Sequence, residues 1–454
     1  MTTEAWLPDL DGVGIKYQAI ADAIARAIET GLLGPGARLP PQRDLASRLG
    51  VDLTTITRAY DTVRHEGLIE ARGRAGSFVR APAAISTGEL RRIETGMNMP
   101  PALPGGLLAR ALTEATQHLL EDGATAHLQY EPSGGTAEDR AIAADLLRTC
   151  GVAADDEVVS ITAGAQHALH LILAATVGPD GTVLCSEFVY TGFKVAAEAI
   201  GARLVALPDF SPDGIARACA EQPVAAIYLV PTNDNPTART LSQSEREGIA
   251  HAARRCGIQI IEDDVYGPLA LSRSAPLASL APERTWYITG SSKAISPALR
   301  VAYVRAPGIS EALMLRRRIM ATAVMAPPLN IAILGHWIRT GTFDRLVNAM
   351  RSEARVRQAI AREALSGLAF DAHPQGYHLW LELPEAAKAR DIAEVMRSQG
   401  LSIHGSEHFA AGSCKANAVR VSLGGLIDHA QLGKCLSVLA GHIASPGSIP
   451  LPVV

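Results

Sequence analysis

Three short amphipathic patterns open the chain. In "YQAIADAIARAIETG", Ile20, Ile24 and Ile28 recur every four residues as one apolar stripe, and Gly31 offers a stop. "LPPQRDLASRLG" predicts a shorter second helix, with prolines at its start, Leu45 and Leu49 facing inward and Gly50 ending it. In "VDLTTITRAYDTVRHEG", Asp52 suits an N-cap, and Ile56, Tyr60 and Val63 share one face. Thr54, Thr55 and Arg58 then point away from that core. "LIEARGRAGSFVRA" reads as two short strands around a glycine-containing turn. Three helices and a hairpin make a winged helix-turn-helix over residues 1–80.

The pattern then changes twice. Residues 81–104, "APAAISTGELRRIETGMNMPPALP", mix small residues, charges and prolines, and predict an interdomain linker ending in an extended arm. From 105, helical stretches alternate with the apolar runs "EVVSITAG", "TVLCSE", "AAIYLVP", "IQIIEDD", "TWYITGS" and "RVAYVRA". Strands spaced by helices predict an α/β domain with a mostly parallel sheet over 105–345. "GYHLWLELP" and "AVRVSLGG" predict a smaller α+β domain over 346–454.

Composition narrows the class. A chain of 454 residues is too long for one ordinary core, and 48% hydrophobic with 19% charged residues fits a globular protein. The net charge of −4 excludes a uniformly basic nucleic-acid binder. Within 38–80, however, eight arginines stand against five carboxylates, a local balance of +3. That reversal suits a DNA-facing module. In a helix-turn-helix the second helix of the pair enters the major groove, which nominates Thr54, Thr55 and Arg58, with Arg43 near a phosphate. The start, "MTTEAWLPDL", lacks the features of a secretory signal, no segment suffices to cross a bilayer, and six scattered cysteines form no C-x-x-C pair. A cytoplasmic protein with reduced thiols is expected.

Four predicted strand ends carry polar residues, where open α/β sheets bind ligands. "ITAGAQHALHLIL" runs through Gly164 into a helix whose free N–H groups suit a phosphate, although an ordinary strand-to-helix turn reads the same way. In "YLVPTNDNPTARTLS", Asn235 before Pro236 is compatible with plain turn chemistry. "IIEDDVYGPL" sets three acids after an apolar strand, where a buried carboxylate needs a cation or a protonated ring nitrogen. No histidine lies close by to complete a metal site. "SSKAISPALRVAYV" holds Lys293, with Arg300 seven residues on, and the lysine is either a solvated surface charge or a reactive amine held in a pocket. Together the four supply what pyridoxal phosphate requires.

Two resemblances sharpen this. The segment "LPPQRDLASRLGVDLTTITRAYDTVRHEGLIEARGRAGSFV" resembles the DNA-binding module of GntR-type bacterial regulators. That likeness implies Arg43, Thr54, Thr55 and Arg58 as contacts to double-stranded DNA, and Gly76 as the wing tip. From about residue 95 the chain resembles fold-type-I aminotransferases, and the whole is similar to MocR-type GntR regulators. The resemblance implies that Lys293 forms an imine with pyridoxal phosphate, Asp263 pairs with its ring nitrogen, and Asn235 and Tyr266 bond its phenolic oxygen. It assigns Tyr190 to stacking on the ring, and Gly164, Ala165, Ser291 and Arg300 to the phosphate. Tyr130 would reach the partner subunit's phosphate in a homodimer, and Arg420 would bind a ligand's α-carboxylate. Two positions depart from the family: Gly290 replaces a serine, and "NPTA" carries Ala238 in place of a glycine.

The leading expectation is a transcription regulator whose aminotransferase-like domain senses pyridoxal phosphate or an amino-compound effector. An active aminotransferase that also binds DNA is the alternative, and a scaffold without cofactor ranks third.

Overall fold

The computed structural model describes residues 6–8, 17–29, 32–34, 36–65, 68–71, 76–79, 97–121, 127–413 and 416–444. Gly31, three of the arginines counted within 38–80 (Arg72, Arg74 and Arg80), and most of the expected linker lie outside them. The chain divides into two compact units, Met1–Ile93 and Glu94–Val454.

The first unit contains helices Tyr17–Glu29, Gln42–Leu49 and Leu53–His65, then strands β1 (Ile69–Ala71) and β2 (Ser77–Val79). Its core gathers the predicted apolar stripes: Ile20, Ile24, Leu45, Ile56, Tyr60 and Val63 are buried with Ile69 and Val79. Gly50 closes the second helix in the left-handed region at φ 63°, where a glycine avoids the Cβ penalty. The Tyr60 hydroxyl donates to the Pro40 carbonyl at 2.7 Å, so the buried ring also fixes the entry to that helix. The strands pair antiparallel with Ile69 opposite Val79, and a bridge from Arg38 to Phe78 extends the pairing.

The second unit is built on a seven-stranded sheet of β3 (Val159–Thr162), β4 (Thr182–Ser186), β5 (Arg203–Leu207), β6 (Ala226–Leu229), β7 (Gln259–Asp263), β8 (Thr285–Gly290) and β9 (Ala302–Arg305). The order is β3-β9-β8-β7-β6-β4-β5, and β9 alone runs against its neighbours. β3, β6 and β8 are buried along their whole length, as continuous apolar runs between two helical layers should be. β5 escaped the sequence reading because it is an edge strand with an exposed start and half-buried middle.

A second, antiparallel sheet follows: β10 (Phe370–Ala372), β11 (His378–Glu382), β12 (Ile403–Gly405) and β13 (Ala418–Ser422), in the order β10-β11-β13-β12. The helix Thr342–Ala364 runs unbroken across residues 345 and 346, where the sequence suggested a domain boundary.

The proline-rich arm behaves differently from a linker. Pro101 bridges to Gly425, the Gly425 N–H donates to Pro100, and the Ala102 N–H donates to Gly425, each at 3.2 Å. Gly424 admits this path, since a Cβ there would lie 1.7 Å from the Met99 carbonyl oxygen. Residues 97–103 are therefore part of the second unit's fold.

Candidate functional site

In the first unit, helix Leu53–His65 presents Arg58 and Thr54 exposed and Thr55 half-buried, because Ile56, Tyr60 and Val63 occupy its inner face. Arg43 is exposed on the preceding helix. The two helices are joined by the Thr57 hydroxyl donating to Gln42 Oε1 at 3.0 Å. Gly76 adopts φ 107° beside Arg38, and a Cβ there would come within 3.3 Å of Arg38 Nε. These five residues occupy the helix pair and the start of β2, and the turn between the strands lies outside the described residues.

In the second unit, the three consecutive acids at the end of β7 and just after it, Glu262, Asp263 and Asp264, separate by alternation of the extended chain. Glu262 accepts the N–H groups of Leu277 and Ala278 at 2.9 and 2.8 Å, and Asp264 accepts the Tyr287 hydroxyl at 2.9 Å. Asp263 points to the opposite face. Its Oδ2 accepts the Tyr228 hydroxyl at 3.0 Å, while its buried Oδ1 has no hydrogen-bond partner. Burial pushes the Asp263 carboxyl up to about 7, against the Tyr228 hydrogen bond and the opposing charge of Lys293. A buried acceptor lacking a donor fits a protonated ring nitrogen.

Lys293 stands on the single helical turn Ser291–Ala294 that follows β8. Its Nζ donates to the main-chain carbonyl of Asn98 at 2.8 Å. Burial, then the charge of Arg420, lower the amine to about 8, so a substantial neutral fraction exists near neutral pH.

Gly164 caps the helix Ala165–Thr176 at φ 90°, with the Arg300 guanidinium against it. A Cβ at 164 would lie 2.6 Å from Arg300 Nη2, so glycine alone leaves room for that arginine at the helix N-terminus. Arg300 also donates to the Ala163 carbonyl at 3.2 Å. Helix N–H groups, a guanidinium and a missing side chain make a cradle suited to a phosphate.

Arg420 on β13 is buried; its Nη1 donates to Asn235 Oδ1 at 2.9 Å, and its guanidinium lies 4.9 Å from the Phe409 ring centre. Tyr266 is buried with its hydroxyl accepting from Asn98 Nδ2 at 3.0 Å. Tyr190 is half-buried at the start of helix Thr191–Ala199, and its hydroxyl lies 3.9 Å from Met97 Sδ. Charge interactions link Asp263, Lys293, Tyr190, Tyr266 and Arg420, so these residues share one neighbourhood.

Ser291 is buried with its hydroxyl turned to the Val301 carbonyl at 3.4 Å. Tyr130 is 84% exposed. The family departures have physical accounts. A Cβ at Gly290 would sit 2.7 Å from the Val301 carbonyl oxygen, so a serine does not fit against β9 here. Ala238 adopts φ 58°, so the turn keeps the left-handed conformation in which the family carries glycine.

Sequence reasoning missed Asn98, Tyr228, His378 and Ser422. Asn98 is 1% exposed and is tied at every polar atom of its side chain. Nδ2 donates to Tyr266 and to His378 Nδ1, each at 3.0 Å, and Oδ1 accepts from Ser422 Oγ at 2.9 Å. His378 Nε2 lies 2.9 Å from the Asp234 carbonyl, which can only accept. The ring proton therefore sits on Nε2, and Nδ1 accepts from Asn98. Burial lowers His378 to about 3 and keeps it neutral. The available signal was an asparagine inside an apolar, proline-rich arm.

The comparisons with known proteins divide the chain the same way. Residues 16–79 match the family of bacterial regulatory proteins, gntR family, and residues 97–439 match aminotransferase class I and II. The HTH-type pyridoxine biosynthesis transcriptional regulator PdxR of Corynebacterium glutamicum is 24% identical, over 89% of this chain and 91% of its own. The vitamin B6 salvage pathway transcriptional repressor PtsJ of Salmonella typhimurium is 26% identical, over 91% and 96%. Among solved structures, the α-aminoadipate aminotransferase LysN of Thermus thermophilus superposes with a TM-score of 0.70 at 23% identity, over 80% of this chain and 95% of that one. It shares the fold.

Proposed function

We propose, from the premise that this chain belongs to the aminotransferase class I and II family and carries a gntR-family module ahead of it in the MocR-type arrangement, that it is a DNA-binding transcription regulator. Its aminotransferase-like unit holds pyridoxal phosphate and uses it to sense the cofactor itself or an amino compound. The observation that carries the cofactor reading is the buried, unpartnered Oδ1 of Asp263 in the same electrostatic neighbourhood as the Lys293 amine.

When bound, pyridoxal phosphate supplies an electrophilic carbonyl carbon that captures amines. Asp263 holds a proton on the ring nitrogen through Oδ1. Arg300 and the N–H groups behind Gly164 bind the phosphate, and Asn235 and Tyr266 orient the phenolic oxygen. Tyr190 covers the ring and restricts water. Arg420, already aligned by Asn235, offers its guanidinium to a carboxylate of an incoming ligand. The exposed Tyr130 is assigned to the phosphate of a partner subunit, which makes the working form a homodimer. Arg43, Thr54, Thr55 and Arg58 contact duplex DNA, with Gly76 at the wing, and the setting is the cytoplasm. No helix among the described residues is long and apolar enough to cross a membrane.

Retention of Lys293 and Arg420 together favours keeping the aminotransferase as a second reading. Both readings are tested by titrating the purified chain with pyridoxal phosphate and then with an amino-acid panel, following visible absorbance. A band lost in Lys293→Ala supports the site, and absence of any band removes it. Rapid conversion to the amine form of the cofactor across the panel would favour an enzyme. A stable band accompanied by altered DNA affinity favours the regulator.

A further inference from the structure

The most tightly organised residue around Lys293 is one that the cofactor roles leave unused. We propose that Asn98 positions the Lys293 and Tyr266 side chains, and that it carries the occupancy of Lys293 to the polypeptide leading to the DNA-binding unit. This rests on the cofactor-sensing reading above.

The geometry separates the two ends of Asn98. Its side chain has one consistent arrangement, with two N–H bonds to Tyr266 and His378 and one acceptor bond from Ser422. The tautomer of His378 is dictated by the Asp234 carbonyl, so the Asn98 amide cannot be turned over without losing bonds. With Asn98 Nδ2 donating, the Tyr266 hydroxyl keeps its own proton for a ligand. The main-chain carbonyl of Asn98, by contrast, is the acceptor on which the Lys293 amine rests at 2.8 Å.

Downstream, the arm is clamped to the Gly424–Gly425 turn, where the Met99 carbonyl approaches too closely for any side chain at 424. Upstream, Asn98 lies only a few residues past Glu94, where the second unit begins. A change at this carbonyl therefore acts near the start of the second unit, close in sequence to the DNA-binding unit.

Capture of a carbonyl carbon by Lys293 changes that bond. The neutral amine attacks, a C=N bond forms, and the carbonyl oxygen leaves as water with both amine hydrogens. A nitrogen that carried hydrogens for Asn98 would then carry at most one, added from solvent. The Asn98 carbonyl loses its donor while its side chain stays held. A buried carbonyl deprived of its partner favours a shifted peptide, so the 97–99 segment has one arrangement for each state of Lys293.

The test uses the full chain and a duplex that the wild type selects from a random-sequence pool. Wild-type affinity for that duplex, with and without pyridoxal phosphate, is expected to differ by about tenfold. Lys293→Ala lacks the donor permanently, so without cofactor it should bind the duplex like the loaded wild type. Asn98→Ala should need more pyridoxal phosphate to develop the absorbance band, and once the band is saturated its loaded and unloaded affinities should agree within about twofold. Lys293→Ala matching the unloaded wild type, or Asn98→Ala keeping the full wild-type ratio, would overturn the proposal while leaving cofactor sensing intact. A wild type with no band, or with equal affinity in both states, would instead remove the sensing reading and this inference with it.

Discussion

The exposed helix pair of the first unit and the buried cluster around Lys293 in the second solve opposite problems. Arg43, Thr54 and Arg58 lie exposed, on helices held by an apolar core in which they take no part. Asp263, Asn235, Tyr266 and Arg420 are all buried, and each depends on a partner from a distant stretch of chain. A surface reader contributes side chain by side chain, whereas a buried site behaves as one coupled network. Its pKa values show this: the charge of Lys293 opposes the rise at Asp263, and that of Arg420 adds to the fall at Lys293.

Breaking the buried side should have the largest effect. Asp263→Asn keeps the shape but removes the charge opposite a ring nitrogen, and pyridoxal phosphate affinity should fall by about 100-fold or more, read by absorbance titration. Melting of the DNA-binding unit should be unchanged.

Arg58→Ala probes the exposed side. Affinity for duplex DNA should drop by about tenfold, and the slope of log affinity against log salt should flatten if Arg58 contacts a phosphate. Cofactor titration should be unaffected. A change in both measurements for either variant would contradict the contrast between local and coupled behaviour.

Dependence on pH separates the regions more finely. The rate of cofactor capture should rise with pH and level off above about 8, following the lowered Lys293 amine. Between about 8 and 10.5 the unfolded chain keeps this proton while the folded chain has lost it. Lys293 therefore adds stability as pH rises through that window, which stopped-flow capture and pH-dependent melts can check together. A capture rate still climbing at the pH of an ordinary lysine would show that the amine is not desolvated.

The smallest effect belongs to Ala238, whose φ of 58° carries a Cβ penalty. Ala238→Gly relieves it and gives back part of the gain as unfolded-chain entropy, so the second unit should be stabilised by less than about 1 kcal/mol. A loss of stability in the melt would show that this turn bears no left-handed strain.

Legibility followed the same divide. The helix stripes of Ile20, Ile24, Ile56, Tyr60 and Val63 appeared in the sequence because local periodicity and core burial coincide in a small unit. The long apolar runs disclosed β3, β6 and β8, while the half-exposed edge strand β5 carried no comparable pattern. Among the consecutive acids, the sequence could state that one must meet a cation. Only the pairing of Glu262 with the N–H groups of Leu277 and Ala278, and of Asp264 with Tyr287, leaves Asp263 on the other face with an open oxygen.

Asn98 marks the limit of local reading. Proline and glycine neighbours made its segment look like a linker, and nothing nearby hinted at Tyr266, His378 or Ser422. The sequence by itself determined most of the elements other than the edge strand β5, and the residue types able to hold a phosphate, a ring nitrogen and an amine. Those follow from side-chain chemistry and from periodicity over a few residues. Tertiary structure decided which carboxylate shares the neighbourhood of Lys293, that Ser291 is buried and Tyr130 exposed, and that an arm near residue 98 rests against Lys293. Such matters depend on hydrogen bonds between residues of different elements, from 10 to 195 positions apart, and burial makes their geometry collective.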